Sequence, residues 1–146
     1  MDIYFLFATL SFLIQVIVLF LLITSYMFKR KQKFRRHGIL MLSAVVLHAS
    51  MILTIMVPSF SVIAFTTTGL PITTVLTAIV HATFGTTTLV LGVWIVGSWR
   101  LRTSLQFCSP KKKIMRATFI LWVTAITIGI ILYFALYLPI MSQLIL

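Results

Sequence analysis

Lys29-Arg30-Lys31-Gln32-Lys33-Phe34-Arg35-Arg36 is a hydrophilic island with an apolar run on either side, about residues 3–28 before it and 38–57 after it. A run of about 20 apolar residues, rising about 1.5 Å each as a helix, crosses the roughly 30 Å of hydrocarbon in a bilayer. A second island, Arg100, Arg102, Lys111, Lys112, Lys113 and Arg116, stands between two further apolar runs at about 72–99 and 114–138. Six and six account for all twelve Lys and Arg, so no span carries a cation in its middle. The pattern predicts an all-α integral membrane protein: one domain, 1–146, with four transmembrane helices in an up-and-down bundle. Because cytoplasmic loops retain Lys and Arg, both islands are expected inside. The N and C termini and the loop from Pro58 to Pro71 are then outside, in a multi-pass protein of the plasma membrane.

Composition agrees. Of 146 residues, 61% are hydrophobic and 9% charged, against about a quarter charged in soluble chains. The net charge of +11 raises nucleic acid as a partner, but the basic runs are short and abut helix ends. Within the basic runs the aromatics are Phe34 and Phe107, too few for a stacking platform, so no nucleic-acid role is expected. Orientation in the membrane and attraction to anionic lipid heads account for the twelve cations. Met1-Asp2 lacks the basic start of a cleaved signal, and the run behind it is too long for one, so the first segment reads as a retained helix. Cys108 is the only cysteine, and its expected state is a free thiol in the inner loop.

The missing acids exclude more than the surplus bases suggest. Asp2 is the single Asp or Glu, so neither two-carboxylate acid–base chemistry nor a carboxylate proton path can be built. The loops hold no glycine-rich phosphate cradle and no His-Glu zinc pattern. There is no charged pore ring and no broken helix pair of the transporter kind. The chain is therefore expected not to be an enzyme.

In a bilayer the helix face turned to other helices is marked by small and polar residues three and four apart. Such stripes run through Tyr4, Ala8, Ser11, Gln15 and Tyr26, then His37, Met41, Ala44 and His48. They continue in Thr74, Thr77, His81, Gly85, Thr88 and Gly92, and in Thr118, Trp122, Gly129, Tyr133 and Tyr137. Gln15, His48, His81, Thr88, Trp122 and Tyr133 are the expected polar residues of the interior. Counting along each helix from its inner charges puts Gln15, His48, Gly85 and Gly129 in one layer. His81, Tyr133 and Ser11 fall in a second, with His48 and His81 about 10 Å apart in depth.

An imidazole in hydrocarbon must be paired or ligated, which leaves three uses open for these histidines. In structural pairing, His48 bonds to Gln15 or Thr88, and His81 to Tyr133 or Ser11. As axial ligands, His48 and His81 hold a b-type haem between facing helices. In a copper site, His48 acts with Met41 or Met51. His37 is expected at the interface, beside lipid phosphates.

Several of these residues carry a resemblance. The start of the second helix, Arg35-Arg36-His37-Gly38-Ile39-Leu40-Met41, and His81 of the third form part of it. The start of the fourth, Lys112-Lys113-Ile114-Met115-Arg116-Ala117-Thr118, is followed by Trp122 and then Gly129, Tyr133 and Tyr137 at seven, eleven and fifteen residues. Over about residues 27–138 the chain resembles the small four-helix membrane proteins typified by YozB, a family of unknown function often found beside haem–copper oxidase subunits and copper-delivery proteins. The resemblance implies a non-catalytic subunit or assembly factor of a respiratory complex, with other membrane subunits and membrane lipids as partners. Docking would use lipid-facing groups such as Phe12, Phe20, Phe119 and Phe134. The alternative is a small b-type cytochrome in which His48 and His81 hold haem b for electron transfer across the bilayer.

Overall fold

A computed structural model describes residues 3–59, 61, 71–99 and 111–145. Four long helices make up almost all of this: α1 (Ile3–Arg30), α2 (Phe34–Met51), α3 (Ile72–Trp99) and α4 (Lys112–Ile145). A π-helical turn, Ile52–Met56, extends α2. Each helix is long and apolar enough to cross a membrane. The chain is thus the all-α, four-span membrane protein its sequence predicts.

Helix is the required form here because a backbone amide in hydrocarbon must be bonded within its own segment. The threonines, poor helix formers in water, follow the same rule. Oγ1 of Thr77, Thr83 and Thr87 each donates at 2.8 Å to the carbonyl four residues back, and Thr127 does so at 2.9 Å. Such a hydroxyl is satisfied by its own helix and needs no neighbour. The six buried residues of α3 are Ala78, His81, Gly85, Thr88, Gly92 and Ile95, which keep the expected stripe from His81 onward and leave out Thr74 and Thr77. Their alternating spacing of three and four is the seam of a left-handed helix pair.

The first basic island folds as a tight reversal. Lys33 N–H donates to Phe28 O at 3.0 Å and Gln32 N–H to Lys29 O at 3.1 Å. Gln32 sits at φ 57, the left-handed position that closes a helix in this bonding pattern. The reversal is only three residues long, so α2 begins at Phe34 rather than near residue 38. Arg35 and Arg36 ride on its first turn. At its far end Val57 N–H reaches back five residues to Ile52 O, and the following Pro58 has no N–H to continue the ladder.

The helices close into a ring in which α1 packs on α2, α2 on α3, α3 on α4 and α4 on α1. Val18 and Leu22 of α1, Ala44 and Val45 of α2, and Trp122 and Ile126 of α4 form the core. Large apolar side chains including Leu13, Ile17, Phe20, Val90, Ile120 and Ile131 face outward, where lipid is their solvent. The end of α1 and the starts of α2 and α4 meet at one end of the bundle, so Lys29 to Arg36 and Lys111 to Arg116 share a single basic face.

Candidate functional site

The histidine-bearing interior begins with α2 presenting His48 to α3. Its Nε2 donates to the carbonyl of Gly85 at 3.3 Å, and its ring lies tilted against Trp122 with centroids 5.2 Å apart. One turn along α3, His81 turns toward α4, where its Nδ1 donates to Ala125 O at 3.0 Å. Gly129 leaves the space that His81 uses: a Cβ there would lie 2.7 Å from His81 Cε1 and 3.1 Å from Gln15 Oε1. A cavity of about 190 Å³ borders this group, with Ser11, Phe12, Gln15, His81 and Tyr133 on its walls. Tyr133 stacks on Phe12 at 4.9 Å, and its hydroxyl lies 3.0 Å from Thr9 Oγ1. The Thr9 hydroxyl already donates to Phe5 O at 2.8 Å, so the tyrosine is the donor of that pair.

Of the expected interior residues, His48, His81, Thr88 and Trp122 are buried, while Gln15 and Tyr133 are half-buried at the cavity wall. The histidine partners differ from those foreseen. Both rings bond to main-chain carbonyls, at Gly85 and Ala125, where a hydrogen or a methyl in place of a larger side chain lets an imidazole approach. The layers differ too. Gln15 and Gly129 belong with His81, and only Gly85 stays with His48. Because Lys29, Arg36 and Arg116 sit at different distances from their helix ends, a count from the charges carries an error of about a turn, or 5 Å.

This arrangement does not fit a bis-histidine haem. Two axial imidazoles must turn a nitrogen toward one iron, whereas Nε2 of His48 points at Gly85 O and the ring is packed on Trp122. The cavity beside His81, about 190 Å³, is smaller than the roughly 300–1,000 Å³ of ordinary ligand pockets. Of the two methionines considered for copper, Met51 is buried three residues from His48, and Met41 is not placed to join it. Met41 lines a different cavity with His37, seven residues or about 10 Å along α2 from His48. No group of three or more His, Cys, Asp or Glu converges among the described residues.

His37 is buried between α1 and α2. Its Nδ1 lies 2.6 Å from Ser25 Oγ and 3.0 Å from Ser25 O, while Ser25 Oγ is 3.1 Å from His37 O. Ser25 is wholly buried and was not among the expected stripe residues; the neighbouring Tyr26 is exposed. The signal was present in the hairpin itself, since Ser25 and His37 are equidistant from Lys31 at the turn. Three buried polar atoms have no hydrogen-bond partner among the described residues: His37 Nε2, the Thr88 hydroxyl and the indole Nε1 of Trp122.

Among the basic residues, Lys29, Arg30, Lys31, Lys33, Arg35 and Arg36 surround the first turn, and Lys111, Lys112, Lys113 and Arg116 the start of α4. Two find aromatic faces: Arg36 lies 5.8 Å over Phe28 and Lys111 5.1 Å over Trp94. Arg100, Arg102 and Cys108 lie outside the described residues. Compared with protein-family models, curated proteins and solved structures, the chain matches none of them.

Proposed function

We propose that this protein is a non-catalytic membrane subunit or assembly factor of a larger membrane complex of the respiratory, haem–copper oxidase type. One observation carries the non-catalytic part: His37, His48 and His81 are each tied to main-chain carbonyls of a neighbouring helix, so they bind the bundle together rather than converge on a reactant. The respiratory partner rests on the resemblance described above. For docking, the bundle offers exposed aromatic groups on α1 and α4, Phe20 and Phe134. Phe12 and Phe119, by contrast, are half-buried and stack on Tyr133 and Tyr26, which makes them packing residues.

Extraction of the tagged chain in a mild detergent, followed by native electrophoresis, tests the proposal. Co-migration with oxidase subunits in a complex several times the chain's 16.6 kDa is the expected result. A chain that runs only at monomer size overturns it. A pyridine haemochrome spectrum of the same preparation, from haem-sufficient cells, is expected to be blank; one haem per chain would replace this reading by the b-type cytochrome.

The orientation belongs to the same proposal: basic end in the cytoplasm, both termini outside, in the plasma membrane. The lone Cys108 reports on it. In intact cells a membrane-impermeant maleimide should leave Cys108 unlabelled, and it should label only after permeabilisation. Labelling of intact cells would invert the topology.

A further inference from the structure

At the basic end residues of all four helices line a cavity of about 310 Å³, the larger of the two described above. Its walls are apolar, with Leu22, Met41, Ile95, Val96 and Phe119 among them, and Trp99 seated across Gly38. Cations border it from two helices: Lys29 of α1 and, from the α4 side, Lys111 and Arg116. No acidic side chain stands beside Lys111 and Arg116, since Asp2 is the single Asp or Glu of the sequence.

The remaining wall is His37. Its ring is 8% exposed, and its Nε2 is buried without a partner. The tautomer follows from the whole pair: the Ser25 hydroxyl donates its one hydrogen to His37 O at 3.1 Å, while Nδ1 lies 2.6 Å from Ser25 Oγ and 3.0 Å from Ser25 O. A carbonyl can only accept, so Nδ1 carries the hydrogen and the neutral ring's Nε2 is left as a bare acceptor. A buried acceptor without a donor is unfavourable. The cavity therefore makes three demands at once: an apolar chain for its walls, an anion for its rim and a hydroxyl-type donor for His37.

We propose that this cavity is a binding site for one anionic phospholipid with a hydroxyl-bearing headgroup, of the phosphatidylglycerol type. An acyl chain lies along Met41, Ile95 and Phe119. The phosphate sits by Lys111 and Arg116, and a headgroup hydroxyl donates to Nε2 of His37. Phosphatidylcholine has neither net charge nor a donor. Phosphatidylmethanol has the charge and lacks the hydroxyl, so the two lipids separate the two polar demands.

Native mass spectrometry of the delipidated full-length protein, titrated with each of these lipids and with inorganic phosphate, tests the site. One phosphatidylglycerol per chain should be retained, about tenfold more tightly than phosphatidylmethanol, the worth of one good hydrogen bond. Phosphatidylcholine should bind more weakly than both, and inorganic phosphate should neither bind nor compete. Replacing the rim cations together, Lys111→Gln with Arg116→Gln, should remove the preference for both anionic lipids over phosphatidylcholine. His37→Phe should erase the preference for phosphatidylglycerol over phosphatidylmethanol and keep that for anions. If the loss of the Ser25 bond prevents that variant from folding, the two-lipid comparison on the unaltered protein still decides the role of the hydroxyl. Equal retention of all three lipids, an unchanged preference in the rim variant, or effective competition by inorganic phosphate overturns the proposal.

Discussion

Trp122→Ala is expected to destabilise the bundle more than any other single truncation, by up to about 3–5 kcal/mol on the scale for large-to-small core changes. Trp122 is the largest fully buried side chain, packed with Val18, Leu22, Ala44, Val45 and Ile126. It also meets the His48 ring, and a Cβ at Gly92 would lie 3.8 Å from its own indole ring. In a bilayer the unfolded helices already sit in an apolar medium, so little hydrophobic transfer energy is lost. What is lost is dispersion across a void that four helices cannot close, which places the expected value toward the lower end, about 3 kcal/mol. Trp122→Phe separates packing from polarity. The indole Nε1–H has no partner, so phenylalanine removes an orphaned donor while keeping much of the ring, and about 1 kcal/mol or less should be lost. Reversible unfolding in mixed micelles of increasing denaturing detergent measures both. A Phe variant as unstable as the Ala variant would show that the indole nitrogen is bonded after all, to a buried water for instance, and that its polarity matters.

The same residues show how far the sequence could be read. Charge placement was enough for four spans and for both basic islands sharing one end, because hydrocarbon excludes Lys and Arg at any depth. Small-residue spacing was enough for the α3 face from His81 to Gly92. The helix limits near the islands were not legible, since arginines such as Arg35 and Arg36 solvate themselves equally well on a loop or on the first turn of a helix. The partners of His48 and His81 were hidden for a different reason. Their acceptors are main-chain carbonyls, which every residue has, so residue types alone point to Gln15, Thr88 or Tyr133. What marks the true acceptors is bulk: Gly85 and Ala125 are the places where a ring can reach the helix backbone. Ser25 escaped because an adjacent tyrosine looked like the polar group of that turn.

Bulk is also what separates two glycines that look equivalent in the sequence. Gly129→Ala is expected to cost about 1–3 kcal/mol, the range for overpacking a filled site, while Gly85→Ala is expected to be neutral or slightly stabilising. A methyl at position 129 would sit 2.7 Å from His81 Cε1 and 3.1 Å from Gln15 Oε1. The glutamine can swing aside, being the end of a flexible chain. The imidazole cannot without giving up Ala125 O, and its Nδ1–H would then be unbonded in the membrane interior. A methyl at position 85 meets nothing within 4 Å, so it fits without displacing the His48 bond to the carbonyl of that residue, and any gain comes from the lower backbone freedom of the unfolded chain. The decisive measurement is a double-mutant cycle in the same micelle unfolding assay. In a His81→Ala background the ring is gone, and Gly129→Ala should then cost less than about 0.5 kcal/mol, giving a coupling energy of about 1–3 kcal/mol between the two positions. A Gly129→Ala penalty that persists without the ring would mean that α1 and α4 are held apart by the methyl itself. Gly129 would then be a helix-approach residue and not the seat of His81.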